Sequence, residues 1–254
     1  MQKATRNSVF MGAKRSRSPA GFHAAIFGAP HGTPYPGIDN RVHAGSANAF
    51  RAALAEDAAW LDHWDYDLAG PLLGNSACRI ADLGNLPTKT RDGKGNRKLI
   101  EAQTRKITEA GAVPLMFGGD DSTPIPFIAG FSGSPPLTIL QIDAHIDWRN
   151  ERYGERFGYS STMRRASEHP HVWRIVQAGA RGLGSAREEE IAAAKQWGAT
   201  SSPRAICTPT ALPKFWKTSR KIQIASSPLI AMRWIPPRCK PSFTPLPAGS
   251  PIRK

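Results

Sequence analysis

The alternation of apolar and polar positions divides most of this chain into short apolar runs and longer segments with a helical period. "HAAIFGAP" at residues 23–30 is an apolar run too short for a helix and punctuated by glycine and proline, which predicts a strand. "CRIADLGN" (78–85), "AVPLMFGG" (112–119), "LTILQIDAH" (137–145) and "RIVQAGARG" (174–182) read the same way. Between them, "AGSANAFRAALAEDAAW" (44–60), "NRKLIEAQTRKITEAG" (96–111) and "AREEEIAAAKQWGA" (186–199) carry the spacing of helices. A further short helix is expected after Asp121-Ser122, and Ser185 with Glu188 is expected to form a capping box for the last one. Strands alternating with helices predict βαβ units, a parallel sheet and a doubly wound α/β domain.

The alternation stops near residue 200. Ten of the 22 prolines fall within residues 201–254, and no Asp or Glu occurs after Glu190, whereas 11 of the 34 Lys and Arg do. Proline at this density removes amide donors and blocks helices and central strands, so residues 201–254 are expected to add no strand to the sheet. Two readings of this basic, proline-rich tail stand: an interaction tail, or sequence following a shift of reading frame or a truncation. The tail also changes the meaning of the net charge of +14, which by itself points to nucleic acid. The first 190 residues hold 23 basic against 20 acidic residues, an ordinary balance, and nucleic-acid binding is not expected.

Residues 1–21 are basic and acid-free and are expected to form a disordered arm, although the composition also suits a mitochondrial-type leader. Residues 22–200 then make one sizeable α/β domain within a 254-residue chain of 40% hydrophobic content. No apolar run approaches the ~20 residues of a membrane span. Cys78, Cys207 and Cys239 stand far apart, against a disulfide framework or zinc knuckle and in keeping with a reducing cytosol, so a cytoplasmic protein is expected.

The candidate chemistry lies where two predicted strands end. In "LQIDAHIDWRN" the groups Asp143, His145 and Asp147 are spaced two apart, and an extended backbone would project them to one side. "FGGDDS" closes the preceding strand with Asp120 and Asp121. Two neighbouring strand ends would then bring four carboxylates and an imidazole to one crevice at the carboxyl edge of the sheet. Such a cluster repels itself unless a multivalent cation sits within it, and oxygen ligands with a histidine suit Mn²⁺. Asp121, Asp143, His145 and Asp147 are therefore the candidate metal ligands. Elsewhere, His31 reads as a solvated loop histidine, and Arg164, Arg165 and Glu168 as a structural ion-pair cluster. Trp60, Trp64 and Trp148 read as core or rim aromatics, and Cys78 as packed inside a strand.

These motifs resemble those of the ureohydrolases, the arginase, agmatinase and guanidinobutyrase family. "GGDDS" is similar to the family's GGDHS, "DAHID" to its DAxxD metal motif, "YSSTMRRASE" to its HGTxxRRAxE segment, and "GAPHGTPYPGIDNR" to its glycine-rich substrate loop. The resemblance covers about residues 22–200, nearest in feel to agmatinase. It implies a three-layer α/β/α fold with a mainly parallel sheet, a site for two Mn²⁺ ions, homo-oligomers, and hydrolysis of a small guanidino compound to urea and an amine. Three departures accompany it. Asp121 stands where the family has a metal-binding His, and Tyr159 stands where it has the His of HGT. The family's last metal ligands come from a later Asp-rich strand, which a chain without acids after Glu190 cannot supply. The expectation is an amidinohydrolase of impaired activity holding at most one loosely bound Mn²⁺. The alternative is a non-catalytic metal-binding remnant or binding protein.

Overall fold

The apolar runs become strands and the periodic segments become helices in the computed structural model, which describes residues 9–33, 35–67, 69–71, 78–184, 186–203 and 229–233. In chain order the elements are β1 (Lys14–Arg15), β2 (Ala24–Ala29), α1 (Ser46–Ala53), β3 (Trp64–Asp65), β4 (Gly70–Pro71), β5 (Ile80–Asn85), α2 (Gly93–Glu109) and β6 (Val113–Gly118). They continue with α3 (Pro124–Ala129), β7 (Leu137–Ile142), α4 (Thr162–Ala166), β8 (Val172–Ala180), α5 (Glu188–Trp197), β9 (Thr200–Pro203) and β10 (Leu229–Arg233).

The strands form two parallel ladders in the orders β1-β5-β2-β6 and β10-β7-β8-β9, while β3 and β4 make a small antiparallel pair. Helices cover both faces of the parallel strands, giving a three-layer α/β/α fold. Strand β2 shows why. Ala25, Phe27 and Ala29 join the main core with Ile100 and Ile107 of α2. On the other face α1 approaches so closely that a Cβ on Gly28 would stand 2.7 Å from that of Ala47, so only glycine fits. Strands buried on both faces read as the near-continuous apolar runs seen in the sequence.

Local chemistry sets the helix ends. Asp92 accepts a hydrogen bond from Gly95 N at 2.8 Å to open α2, and the left-handed Gly111 (φ +74°) follows its end. Asn96, Ile100, Thr104 and Ile107 form its buried stripe. The opening of α5 differs from expectation: the cap is at Arg187, whose backbone N donates to Glu190 Oε2 at 2.7 Å, because the helix begins later than a Ser185 cap requires. Ser185 itself lies outside the described residues.

Four other expectations are corrected. The basic arm is not disordered from residue 9 onward. Strand β1 pairs with β5, Phe10 packs against Phe50 and Phe117, and Phe10 N donates to Asp82 Oδ2 at 3.0 Å. Its aromatic ring, rather than its charge, decides its placement. The chain after residue 200 does contribute strands, β9 beside β8 and β10 beside β7. The apolar stretch "LIAMR" in β10 is free of proline, which removes the objection at that point. Cys78 is exposed and ends the loop before β5 rather than packing within it. Finally, β6 and β7 are not neighbours: among the described residues they belong to different ladders.

Trp148 is buried in the core, whereas Trp60 and Trp64 are exposed. The ion-pair cluster forms, with Arg165 Nη2 2.8 Å from Glu168 Oε1 and Arg164 Nε 3.8 Å from the same oxygen. No helix among the described residues is long and apolar enough to cross a membrane.

Candidate metal centre

Strand β6 delivers the chain to Gly119, where an added Cβ would lie 2.0 Å from His31 O; this close approach requires glycine. Asp120 then turns away from the crevice. Its Oδ2 accepts from Thr33 N at 2.7 Å, and its Oδ1 accepts from Ser122 N at 2.9 Å and Ser122 Oγ at 2.5 Å. With its oxygens engaged, Asp120 fastens the 31–33 loop to the end of β6. Three carboxylates therefore meet in the crevice, not four.

Those three are Asp121, Asp143 and Asp147, each offering an oxygen within 4.8 Å of the others. Simple strand alternation does not produce the grouping. Strand β7 ends at Ile142, and Asp147 takes a left-handed backbone (φ +47°), which turns its carboxylate back toward Asp143. Its carbonyl accepts from Met163 N at 3.0 Å and Arg164 N at 3.2 Å, so α4 is seated on this turn. The Thr162 hydroxyl donates to the Asp121 carbonyl, joining the end of β6 to α4.

His145 stands beside the trio rather than in it. Its backbone N donates to Asp143 Oδ1 at 2.7 Å, its Nδ1 lies 3.2 Å from the same oxygen, and its side chain is 43% exposed. The half-open imidazole therefore borders both the carboxylates and solvent.

Burial, then the nearby Asp147, pushes the Asp121 carboxyl well above the usual carboxylate range. Burial likewise pushes Asp147 up to about 6, against the opposing hydrogen bond from Asp121. Asp121 Oδ2 is buried and finds no hydrogen-bond partner. An orphaned buried oxygen costs free energy, and among clustered carboxylates a cation supplies what is missing. Hard oxygen donors in this number suit a divalent ion such as Mn²⁺ or Mg²⁺ rather than structural zinc.

The sequence reading did not foresee what holds Asp147. Gln141 Nε2 donates to Asp147 Oδ2 at 2.7 Å; Gln177 Nε2 donates to Gln141 Oε1 at 2.6 Å and to Ile146 O at 2.7 Å. Ser201 Oγ closes the series by donating to Gln177 Oε1 at 2.9 Å. Both glutamines are 2% exposed. Their signal in the sequence is a glutamine at a core-facing position of each of two apolar strands.

His31 is also corrected. It is 3% exposed, its Nδ1 accepts from Asn96 Nδ2 at 3.1 Å, and burial lowers its pKa, so it is a packed group rather than a solvated one. Tyr159 OH accepts from Arg152 Nη1 at 3.0 Å, and its ring meets Tyr35 edge-on at 5.0 Å. Beside Asp147 a cavity of about 190 Å³ opens between the loop after β7, the loop after β8 and the first turn of α5.

Guanidinopropionase from Pseudomonas aeruginosa is 32% identical over 107 residues, covering 41% of this chain and 34% of that protein. The mitochondrial guanidino acid hydrolase of Homo sapiens is 27% identical over 168 residues, covering 65% of this chain and 46% of that protein. The chain thus spans less than half the length of these curated relatives. Among solved structures, the proclavaminate amidino hydrolase of Streptomyces clavuligerus superposes with a TM-score of 0.66 at 20% identity, covering 91% of this chain and 74% of that one. The model of the Arginase family matches residues 22–211, a span that takes in both strand ends carrying the aspartates and the glutamines behind them, and the chain belongs to the arginase family.

Proposed function

We propose that this protein binds a single Mn²⁺ at Asp121, Asp143 and Asp147, with His145 as a fourth ligand, and takes a small guanidino compound beside it. The reaction class is hydrolysis of a guanidino C–N bond: water adds to the guanidino carbon, the C–N bond to the alkyl chain breaks, and urea and a protonated amine leave. A bound divalent ion would supply the acidity that makes water nucleophilic at neutral pH. The chain's own residues would act around it: the buried glutamines hold Asp147 in place, and the carboxylates present a cation-seeking surface to the guanidinium.

The orphaned, buried Asp121 Oδ2 within the carboxylate trio carries this reading. The names of the relatives agree with it, since a guanidinopropionase and a guanidino acid hydrolase act on guanidino compounds. One feature favours a second reading, a metal-binding protein without turnover: no carboxylate follows Glu190 to hold a second ion. Calorimetric titration with Mn²⁺ and a urea-release assay on agmatine, arginine and 4-guanidinobutyrate separate the two. A stoichiometry near one, with urea release slow but lost in Asp147→Asn, supports the impaired hydrolase. Binding without urea release supports the second reading. Absence of Mn²⁺ binding overturns both. The exposed thiol of Cys78 fits our placement of the protein in a reducing cytosol.

A further inference from the structure

At the amino-terminal edge of β8, opposite the edge that carries the aspartates, two half-buried histidines flank one proline. The rings of His169 and His171 stand with their centres 5.0 Å apart and their planes 35° apart. Three backbone hydrogen bonds hold this turn: His169 N donates to Ala166 O at 3.1 Å, Val172 N to His169 O at 3.0 Å, and Leu137 N to His171 O at 2.7 Å. Pro170 between them fixes a further backbone angle. The hydrogen bonding also sets the chemistry of the rings. His171 Nε2 lies 3.0 Å from Ile128 O, and a carbonyl only accepts, so Nε2 carries the proton and Nδ1 keeps its lone pair. A ring N–H given to a backbone carbonyl is the arrangement that orients histidine ligands of metals. Burial, then the neighbouring His171, lowers the pKa of His169, which leaves that ring neutral and able to ligate at pH 7.

We infer that His169 and His171 form a two-histidine site for a nitrogen-preferring divalent ion, Zn²⁺ or Cu²⁺, separate from the aspartate cluster. Imidazole nitrogens bind Zn²⁺ at ~2.0–2.1 Å, and two rings sharing one tetrahedral ion place their centres roughly 5 Å apart. The two carboxylates that act on His169 are Glu168 and Glu101, and each is held by an arginine: Glu168 by Arg165 at 2.8 Å and Glu101 by Arg105 at 2.7 Å. Water therefore completes the coordination, and the site stays open. The donor sets divide the metals, since imidazole suits zinc and copper whereas carboxylates suit Mn²⁺. Strand β7 separates the two places: it starts at Leu137, bonded to His171, and ends at Ile142, next to Asp143. At ~3.3 Å per residue that is about 20 Å. An ion here would tie α3, through Ile128, to the turn between α4 and β8.

The test titrates the full chain, already supplied with Mn²⁺, with Cu²⁺ followed by EPR and with Zn²⁺ followed by thermal melting. The Cu²⁺ spectrum should carry the splitting of two nitrogens, and Zn²⁺ should raise the melting temperature. His169→Asn and His171→Gln should each remove the two-nitrogen splitting and the Zn²⁺ effect, leaving Mn²⁺ binding as in the parent protein. Each should weaken Cu²⁺ binding at this site by more than about tenfold, because even a lost partner behind a ligand costs ~10–100-fold. His171→Gln keeps a donor for Ile128 O, and His169→Asn disturbs no contact with that carbonyl, so one variant remains informative if the other fails to fold. A two-nitrogen splitting that is absent from the parent protein, or that survives either substitution, overturns the assignment.

Discussion

Gln141 donates its side-chain amide to Asp147 Oδ2 at 2.7 Å, from a position one residue short of the end of β7. A buried amide aimed at a carboxylate fixes which oxygen stays free for a cation. Because Gln177 and Ser201 hold Gln141 in turn, three adjacent strands set the orientation of one aspartate. Partners of this kind behind a metal ligand typically contribute about 10–100-fold in metal affinity. Gln141→Leu should therefore weaken Mn²⁺ binding by about that factor, with Gln177→Leu giving a smaller loss in the same direction. Manganese EPR titration of both variants measures it, and unchanged affinity in Gln141→Leu would show that the series is only packing.

The acids of the site make the metal-free protein pH-sensitive. Asp147 titrates near 6 in the fold against 3.8 for an ordinary aspartate, and Asp121 lies well above its usual range. The folded state therefore binds more protons than the unfolded chain above pH 4. Stability from this source is complete below about pH 4 and is lost as pH rises through 6 and beyond. Chelated protein should melt at a progressively lower temperature from pH 4.5 to 7.5, and added Mn²⁺ should restore more at the upper end. Thermal melts with and without EDTA check this.

Gly179 has φ +101°, and a Cβ there would stand 3.0 Å from Asp143 O. Gly179→Ala should cost about 1–3 kcal/mol in stability through backbone strain and also weaken Mn²⁺ binding by displacing Asp143. Gly182 supplies the comparison: it has φ +65° with open space around it. Gly182→Ala should show the strain alone, with Mn²⁺ affinity retained. Urea denaturation and Mn²⁺ titration of the pair separate the two effects.

Away from the site, Arg51 of α1 clamps Asp82 of β5 through Nε at 2.7 Å and Nη2 at 2.8 Å, with side chains only 2% and 0% exposed. Burial opposes ionisation of Asp82, but the hydrogen bonds from Arg51 and from the backbone of Gly84 outweigh it and hold the carboxyl below its usual range. Arg51→Met leaves that buried charge without its counter-charge, held only by the backbone N–H groups of Phe10 and Gly84, a change that costs about 3–5 kcal/mol. Chemical denaturation should show a loss of this size. The same salt bridge fixes Asp82 Oδ2 for Phe10 N, so the variant should also expose the segment before β1 to proteolysis.

The sequence made the strands and helices legible because strands buried on both faces and one-sided helices leave periods that need no tertiary information. Asp121, Asp143 and Asp147 were legible as a cluster because charges at the ends of apolar runs are costly without a counter-charge. Three features were not. The left-handed turn at Asp147 is stabilised by α4 donating to its carbonyl, a contact 16 residues along the chain. Asp120 and Asp121 are chemically identical in the sequence, and only the approach of Thr33, 87 residues away, tells them apart. The pairing of β6 and β7 was assumed from chain order, whereas β10, far along the chain, lies beside β7.

The division into two ladders gives the aspartates a mechanical meaning. Asp121 follows β6 at the end of one ladder, and Asp143 and Asp147 follow β7 in the other. Without a cation, the crowded carboxylates load the point where the ends of β6 and β7 approach one another. An ion held among them, as proposed, would act as a rivet between the two strand ends. Metal binding then reports on the joint between the halves as well as on the chemistry. Because one hydrophobic core spans both ladders, chelation should lower the midpoint of a single unfolding transition, and the ion should raise it again.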